Sequence, residues 1–272
     1  MNEATAPARS LNGWGPVPIG EVMQAALALK RREFRQGPVR RAATPAPAST
    51  SWQTEPGEAP ILVVGCSGSA GTSTVALLIA QSFARSRLVE CAPGAASGLA
   101  GASTAELGEA DRAWVEGSRG ELRIQRRRDQ LQTPDEVPRP LPGSPGAISV
   151  VDSGWGLRRI LAGYGWLTEL ARSCPRVVLV ARATVPGLRQ LEDDLALLEP
   201  ERCWAVTTGL PARRRLRAVE HSMGPRTRHL RQTGRLIGLP HNAALALSGI
   251  TTDPLPRSFH HAASLLQRGL LP

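Results

Sequence analysis

Residues 61–84 read ILVVGCSGSAGTSTVALLIAQSFA, and this stretch decides the fold. Four apolar residues, 61–64, lead into a loop of small residues that runs from Gly65 to Thr74, and an apolar-periodic segment follows from Val75. A strand, a small-residue loop and a helix in this order are typical of a phosphate-binding loop, where backbone N–H groups and a helix N-terminus face an anion. The lysine that such loops carry is absent here.

The composition favours an α/β domain with an anionic partner. The chain has 272 residues, of which 42% are hydrophobic and only 4% aromatic, so aliphatic side chains form most of the core, as is usual for helices on a parallel sheet. The formal net charge is +10, which favours nucleic acid, an acidic protein surface or a membrane face as a partner. Lys30 is the only lysine in the chain.

Cysteine spacing and hydropathy predict the compartment. The four cysteines are far apart and form no CxxC pair, which indicates free thiols in a reducing compartment; they are Cys66, Cys91, Cys174 and Cys203. The first residues lack the apolar segment of a secretory signal, and no run approaches the roughly 18 apolar residues of a membrane span. We therefore expect a cytoplasmic protein without a membrane span.

The chain divides into residues 1–59 and a domain of residues 60–272. Residues 19–35 predict a short amphipathic helix with a basic end, which either packs on the domain or contacts a partner or nucleic acid. Residues 39–60 are rich in Pro, Ala, Ser and Thr and predict a disordered linker.

Apolar strands alternate with amphipathic helices along the domain. Strands are predicted at residues 61–64, 87–92, 121–126, 147–152, 176–183, 203–207 and 236–240, and helices at 75–83, 157–171, 185–198, 212–230 and 258–271. We predict an α/β fold with a mostly parallel sheet and helices on both faces. In this prediction the strand at 121–126 lies at an edge, residues 94–108 form a small-residue loop or short helix, and residues 127–146 form an exposed loop.

Polar residues follow three of these strands. The small-residue loop, Glu90 and Asp152 all lie at carboxyl ends of predicted strands. Ligands of open α/β sheets bind at that edge, so we expect these three features to share one site.

Four segments of the domain carry a family resemblance. Residues 67–74 (SGSAGTST) align with the loop pattern KGGxGK[ST][ST], residues 90–93 (ECAP) with a strand end Asp-x-Asp-x, residues 150–152 (VVD) with a Walker-B-like strand, and residues 237–245 (IGLPHNAAL) with a late LG-x-[IL]-P strand. In this order, across about residues 60–271, the chain resembles the ParA/MinD family of P-loop ATPases. The resemblance implies a P-loop NTPase fold. It also implies a role in DNA partition, in positioning of division or secretion machinery, or as a membrane-surface switch.

Three positions depart from the family pattern. Ser67 and Thr72 replace its two loop lysines, and Ala92 replaces the aspartate that orients the attacking water. A loop lysine stabilises phosphate charge in the transition state, and removing such a group typically costs about 3 kcal/mol or more. We therefore expect no ordinary ATP turnover and assign no catalytic residue.

The remaining loop is suited to an anion. With the resemblance it implies nucleotide binding, and a Mg²⁺ site at Ser73 and Asp152 if nucleotide binds; the predicted nucleotide-binding residues are Gly68, Ser69, Ala70, Gly71, Thr72, Ser73, Thr74 and Asp152. ATP or ADP with Mg²⁺ is the expected cofactor. The alternative is no cofactor, because glycines also persist where a turn is tight. Thr207 or Thr208 stands where the family uses an asparagine for the base, which weakens purine recognition.

Residues 212–235 form a basic region with one acid, Glu220. In ParA-like proteins the C-terminal half carries arginines for sequence-independent DNA binding, and phosphate neutralisation requires only clustered cations. The alternative is a solvated helix face. The predicted DNA-binding residues are Arg213, Arg214, Arg215, Arg217, Arg226, Arg228 and Arg231.

Three functional hypotheses follow. The favoured one is a non-hydrolysing scaffold or adaptor for DNA partition or transfer, or for a cell-envelope machine, with DNA or a protein of a transfer, secretion or partition system as partner. The second is an active nucleotide switch that forms a homodimer with nucleotide and takes an arginine from its partner. The third is a non-specific DNA-binding protein whose loop is only architectural.

Overall fold

The computed structural model describes residues 52–92, 97–111, 113–128, 131–210, 217 and 219–271. Within these residues nine strands form one sheet: β1 (Ala59–Gly65), β2 (Ser86–Glu90), β3 (Ala105–Glu109), β4 (Trp114–Arg119), β5 (Leu122–Arg127), β6 (Ile148–Asp152), β7 (Val177–Arg182), β8 (Cys203–Leu210) and β9 (Leu236–Pro240). The helices are α1 (Thr72–Gln81), α2 (Leu157–Leu161), α3 (Trp166–Ser173), α4 (Val185–Leu195), α5 (Pro225–Gln232), α6 (Ala243–Ser248) and α7 (His260–Leu270).

The sheet is mostly parallel, as predicted. Its strand order is β3-β4-β5-β2-β6-β1-β7-β8-β9. β1 lies at the centre and pairs in parallel with β6 and β7. Val63 lies beside Asp152, and Asp152 lies beside Glu90 of β2. The carboxyl ends of β1, β2 and β6 therefore meet at one edge.

The continuous apolar run of β1 follows from burial on both faces. Ile61 and Val63 belong to the core under α1 and α7, whereas Leu62 and Val64 belong to the core under α2, α3, α4 and α5. All four side chains are fully buried. Helices thus cover both faces of the sheet, and the predicted fold class is confirmed.

The edge beyond β2 differs from the prediction. β5 does not lie at the edge: it pairs in parallel with β2 and antiparallel with β4. β4 in turn pairs with β3, whose five residues are all exposed. β3 and β4 were missed because their polar residues outnumber their apolar ones, so periodicity could not mark them.

Two further predicted segments differ from the structure. The helix expected at 157–171 is two helices, because Gly165 adopts φ 94° between α2 and α3. The loop 127–146 is only partly exposed: Leu131, Pro134 and Val137 are buried, and Trp166 Nε1 donates to the carbonyl of Val137 at 2.7 Å.

The basic region contains α5, which begins after Gly224, and residues 217 and 219–221 before it are also helical. Residues 211–216 and 218 lie outside the described residues. Helix α6, directly after β9, was not predicted from the sequence.

Residues 52–58, part of the predicted linker, contact the domain. The rings of Trp52 and Trp166 meet edge to face at 5.6 Å. The Glu58 carboxylate is buried 2.7 Å from Arg87 Nη2. The predicted helix at 19–35 lies outside the described residues, and the domain boundary at 59/60 stays a prediction. Every helix in the described part of the chain is too short or too polar to cross a membrane.

Candidate functional site

The loop between β1 and α1 has the backbone shape of an anion-binding turn. Two of its residues adopt positive φ, Ser69 at 54° and Gly71 at 88°. Gly71 caps α1, which begins at Thr72 without an acidic residue in its first turn. The unpaired N–H groups and the positive end of the helix dipole therefore face the space above the loop.

Two neighbouring strands hold this loop. The Thr208 hydroxyl of β8 donates to the carbonyl of Ala70 at 2.7 Å. Arg182 Nη1, at the end of β7, donates to the carbonyl of Ser69 at 3.3 Å. A Cβ on Gly71 would lie 3.3 Å from Thr208 Cγ2, so the absence of a side chain at Gly71 lets β8 approach the loop.

Thr72, which the sequence alignment places at the lysine position, is the first residue of α1. A Cβ on Gly65 would lie only 2.4 Å from Thr72 Oγ1, so this hydroxyl lies directly over the end of β1. Thr72 brings a hydroxyl to the loop and no charge.

Asp152 brings a buried carboxylate to the loop. Its residue is 1% exposed, Oδ1 accepts from the N–H of Gly154 at 3.3 Å, and Oδ2 is buried without a hydrogen-bond partner among the described residues. Burial raises the pKa of Asp152 to about 6, while the Ser73 hydroxyl and the Gly154 N–H lower it. A buried carboxylate oxygen without a partner requires an explanation, and an absent ion is one.

The donor set around Asp152 fits Mg²⁺. A carboxylate and a hydroxyl, completed by water and phosphate oxygens, are ligands that Mg²⁺ prefers. Within the described ranges no group of three His, Cys, Asp or Glu residues could hold a metal by itself. Magnesium here would therefore depend on phosphate oxygens from a ligand.

Glu90 holds the loop that follows β2. Its carboxylate accepts from Ser97 Oγ at 2.7 Å, from the N–H of Gly98 at 2.9 Å and from the N–H of Leu99 at 3.1 Å. Burial, and next the charge of Asp152, raise the pKa of Glu90 to about 7. A Cβ on Gly98 would lie 2.4 Å from Ser73 Oγ. Glu90 therefore sets the loop that covers Ser73.

Ala92 packs against the backbone turn after β6. A Cβ on Gly154, which adopts φ 64°, would lie 2.3 Å from Ala92 Cα. Ala92 is 3% exposed and lines the same cleft as Asp152. Its methyl group has no atom that could orient water.

All the predicted nucleotide-site residues line one cleft of about 720 Å³, a volume typical of ligand sites. The sequence did not identify the opposite wall, which comes from the ends of β7, β8 and β9 and from the start of α6: Arg182, Gly209, Leu239, Pro240, His241, Asn242, Leu245 and Ala246. The rule that ligands bind at carboxyl ends of strands could have indicated these residues.

Two polar side chains of the cleft already make hydrogen bonds to the backbone. Thr208 is one of the two positions considered for contact with the base, and its hydroxyl donates to the loop carbonyl of Ala70. Asn242 caps α6, because its Oδ1 accepts from the N–H of Leu245 at 2.8 Å. The side chain of His241 on the same wall is exposed.

The predicted DNA-binding residues lie elsewhere. Arg213, Arg214 and Arg215 fall outside the described residues, and Arg217 is described as helical and exposed. Three others lie on α5, none of whose residues lines the cleft; they are Arg226, Arg228 and Arg231.

Carboxylates and backbone oxygens engage the three arginines of α5. Arg226 Nη1 lies 3.7 Å from Glu192 Oε1, and Arg231 Nη1 lies 3.9 Å from Glu220 Oε1. Arg228 Nε donates to the carbonyl of Met223 at 2.9 Å. The side chains of Arg226 and Arg231 stay about half exposed, at 51% and 50%. DNA binding stays a prediction.

Comparisons with known proteins found similar structures only. No protein-family model and no curated protein sequence matches the chain. A plasmid partition protein of Borrelia burgdorferi bound to AMPPNP is 12% identical, with a TM-score of 0.48 over 78% of this chain and 97% of that one. The MinD cell division protein of Aquifex aeolicus is 13% identical, with a TM-score of 0.48 over 78% and 96%.

A further structure of a Borrelia burgdorferi plasmid partition protein is 12% identical, with a TM-score of 0.46 over 80% of this chain and 99% of that one. The strand order and register establish the fold, and the contacts and burial of its residues define the site.

Proposed function

We propose that this chain is a ParA/MinD-like adaptor that binds a nucleoside triphosphate with Mg²⁺ and hydrolyses it poorly or not at all. The observation that carries the proposal is the buried carboxylate of Asp152, which lies in the same cleft as the N-terminus of α1. Its Oδ2 has no close hydrogen-bond partner among the described residues, and the Ser73 hydroxyl stabilises its charge. A buried acceptor at this place is suited to a magnesium-bound ligand.

Each part of the loop has a role in this proposal. The N–H groups from Gly68 to Thr74 bind phosphate oxygens, as at other helix N-termini. Ser73 and Asp152 hold Mg²⁺, directly or through water. Bound Mg²⁺ would neutralise charge on the phosphates.

Turnover is not expected at the rates of P-loop ATPases. Thr72 supplies no cation where transition-state charge develops, and Ala92 supplies no carboxylate for the attacking water. Electrostatic groups of this kind each typically contribute about 3–4 kcal/mol of transition-state stabilisation. A chain without both suits a role in which bound nucleotide sets shape and partner choice, in DNA partition or transfer or at a cell-envelope machine.

Calorimetric titration of the full chain with ATP or ADP, with and without Mg²⁺, tests the proposal. The wild type should bind nucleotide in a Mg²⁺-dependent manner, and Asp152→Asn should remove that dependence. The matched control is Asp193→Asn, which alters an exposed acid on α4 and should bind as the wild type does. Absence of nucleotide binding would end the proposal. Phosphate release at ATPase rates, lost in Asp152→Asn, would contradict its non-hydrolysing part.

Non-specific DNA binding is a second candidate function. One observation favours it: α5 carries three arginines and no acid in its sequence PRTRHLRQ. Surface ion pairs such as Arg226–Glu192 are weak and exchange readily for phosphates. This function is compatible with the first. The salt dependence of DNA binding by the full chain, with and without the arginines of α5, tests it.

A further inference from the structure

One arginine lies among the described residues that line the cleft. Among the described residues that line the cleft, the ionisable side chains are Asp152, Arg182 and His241, besides the thiol of Cys66. A guanidinium carries a delocalised positive charge and presents five N–H donors. Arg182 is therefore the permanent cation of the described lining.

Arg182 reaches the loop from a different strand. It is the last residue of β7, and in the sheet it lies beside Thr208 of β8. Arg182 Nη1 contacts the carbonyl of Ser69 at 3.3 Å, and the Thr208 hydroxyl contacts the next carbonyl, that of Ala70. The two strand ends thus place a cation next to the top of the phosphate-binding loop.

The guanidinium has donors to spare. Its contact with Ser69 uses one N–H group, and no ion pair or other hydrogen bond engages the Arg182 side chain within the described part of the chain. The residue is exposed, so its long side chain can turn from Ser69 toward a ligand without breaking a salt bridge. A guanidinium has five N–H donors and binds phosphate in a bidentate manner.

We propose that Arg182 supplies, from the same chain, the cationic phosphate ligand that the loop lacks, and that its target is the polyphosphate of a nucleoside di- or triphosphate. The inference rests on the proposed function, because it concerns the same cleft. A triphosphate carries several negative charges, and Mg²⁺ held by Ser73 and Asp152 offsets only part of them. Thr72 offsets none. Binding of a triphosphate then requires no arginine from a dimer partner, which the second functional hypothesis invokes.

Arg182 is a binding residue in this proposal and restores no catalysis. A guanidinium at Arg182 cannot replace the carboxylate that is missing at Ala92, so no side chain there orients the attacking water. The chain can then hold a triphosphate tightly without turning it over, which is what an adaptor requires.

Titration calorimetry with four probes tests the assignment on the full chain, each with Mg²⁺: ATP, ADP, inorganic tripolyphosphate and AMP. Arg182→Ala should weaken binding of ATP and tripolyphosphate by about tenfold or more, the effect of one lost charge-assisted contact. Its affinity for AMP should stay within about twofold of wild type by the same reasoning. Arg182→Lys should bind ATP with intermediate affinity, because a lysine keeps the charge and loses the bidentate geometry.

Arg176→Ala is the matched control. Arg176 directly precedes the same strand, at its opposite end, and contacts the carbonyl of Leu271. This variant should bind all four probes as the wild type does. A thermal melt of each variant confirms folding, and Arg182→Ala should unfold within a degree or two of wild type because the residue is exposed.

The outcomes separate the two proposals. If the wild type binds ATP, and Arg182→Ala binds both ATP and tripolyphosphate as tightly as the wild type does, the assignment of Arg182 is wrong and the nucleotide site stands. Equal weakening of AMP in Arg182→Ala also overturns it. If the wild type binds tripolyphosphate through Arg182 but binds no nucleotide, the proposed function fails and the anion site stands. A wild type that binds none of the probes removes both.

Discussion

Asp152 combines a stability cost with a role in the proposed site. Burial places its pKa at about 6 in the folded chain, against the ordinary value of 3.8. The folded chain therefore binds more protons than the unfolded chain between these values, and the free energy of unfolding falls as pH rises from about 4 to about 6. Groups with a strongly shifted pKa often lie at functional sites, where a bound ligand can offset the cost of burying the charge.

Asp152→Asn should stabilise the chain without ligand at neutral pH, because it removes a buried charge with an unsatisfied oxygen. The expected gain in unfolding free energy at pH 7.5 is up to about 3 kcal/mol, and it should vanish near pH 4, where the carboxyl of the wild type is protonated. Urea denaturation of both proteins at the two pH values measures this. The exposed Asp193→Asn should change little at either pH, and an Asp152→Asn less stable than wild type at pH 7.5 would falsify the account.

The residues of the site differed in how well the sequence could predict them. Gly68 to Thr74 and Asp152 follow apolar strands directly, so the pattern of strand and loop located them. Arg182 also ends a strand, but 113 residues separate it from its loop contact, Ser69. Contact across that separation depends on β7 lying beside β1 in the sheet, which sequence periodicity does not specify.

At the scale of elements, Gly98, which follows β2 in the chain, packs closely against Ser73 of α1. Gly98→Ala would place a methyl group 2.4 Å from Ser73 Oγ and 2.6 Å from its Cβ. The loop or α1 must then shift, so we expect a stability loss of about 1–3 kcal/mol and weaker Mg²⁺-dependent ATP binding, both measurable by melts and calorimetry. Gly156→Ala is the control: it lines the same cleft with φ −70° and has nothing within 4 Å of the added carbon.

The segment before β1 is attached to β2 by a buried ion pair. The side chains of Glu58 and Arg87 are 0% and 6% exposed. Arg87 Nε also donates to Ser149 Oγ at 2.7 Å, and its guanidinium carbon lies 5.5 Å from the centroid of the Trp52 ring. Residues 52–58 are thus held to the sheet by charge and by ring contacts.

Glu58→Ala leaves Arg87 buried without its partner, which should lower the free energy of unfolding by about 3–5 kcal/mol in chemical denaturation. Glu169→Ala breaks the exposed pair with Arg172 and should cost at most about 0.5 kcal/mol. Similar losses in the two variants would contradict the role given to burial. The double variant Glu58→Leu/Arg87→Met should recover much of the loss, because a matched apolar pair carries no stranded charge.

Element types were predictable where burial was two-sided. β1, β6 and β7 are continuous apolar runs because both faces of the sheet are covered, and each was predicted close to its observed bounds. β3 lies at the edge and β4 directly inside it; hydrophobic residues are the minority in both strands, so their composition resembles that of a loop. The break between α2 and α3 depends on the left-handed backbone of Gly165, which an apolar repeat spanning it conceals.

At the scale of the whole molecule, the net charge of +10 predicts salt-dependent binding to DNA if α5 forms part of the interface. Fluorescence anisotropy with a labelled duplex should show affinity that falls steeply with salt. The triple variant Arg226→Ala/Arg228→Ala/Arg231→Ala should reduce the log–log salt slope by about 2–3, close to one unit per lost phosphate contact.

The removal of two arginines on another part of the sheet serves as the control, compared per charge. Arg123→Ala/Arg128→Ala removes two exposed arginines at and just after β5 and should leave the slope nearly unchanged. If the two sets reduce the slope equally per charge, the attraction comes from overall charge and α5 is not the interface.

The central position of β1 has a consequence for synthesis of the chain. Its partners begin at Ile148 in β6 and Val177 in β7, so a growing polypeptide carries β1 for more than a hundred residues before both neighbours exist. Contacts between such distant segments form late and slowly. During translation the fully apolar β1 is therefore a natural binding site for chaperones, and premature termination before β7 should yield aggregation-prone fragments instead of a smaller folded domain.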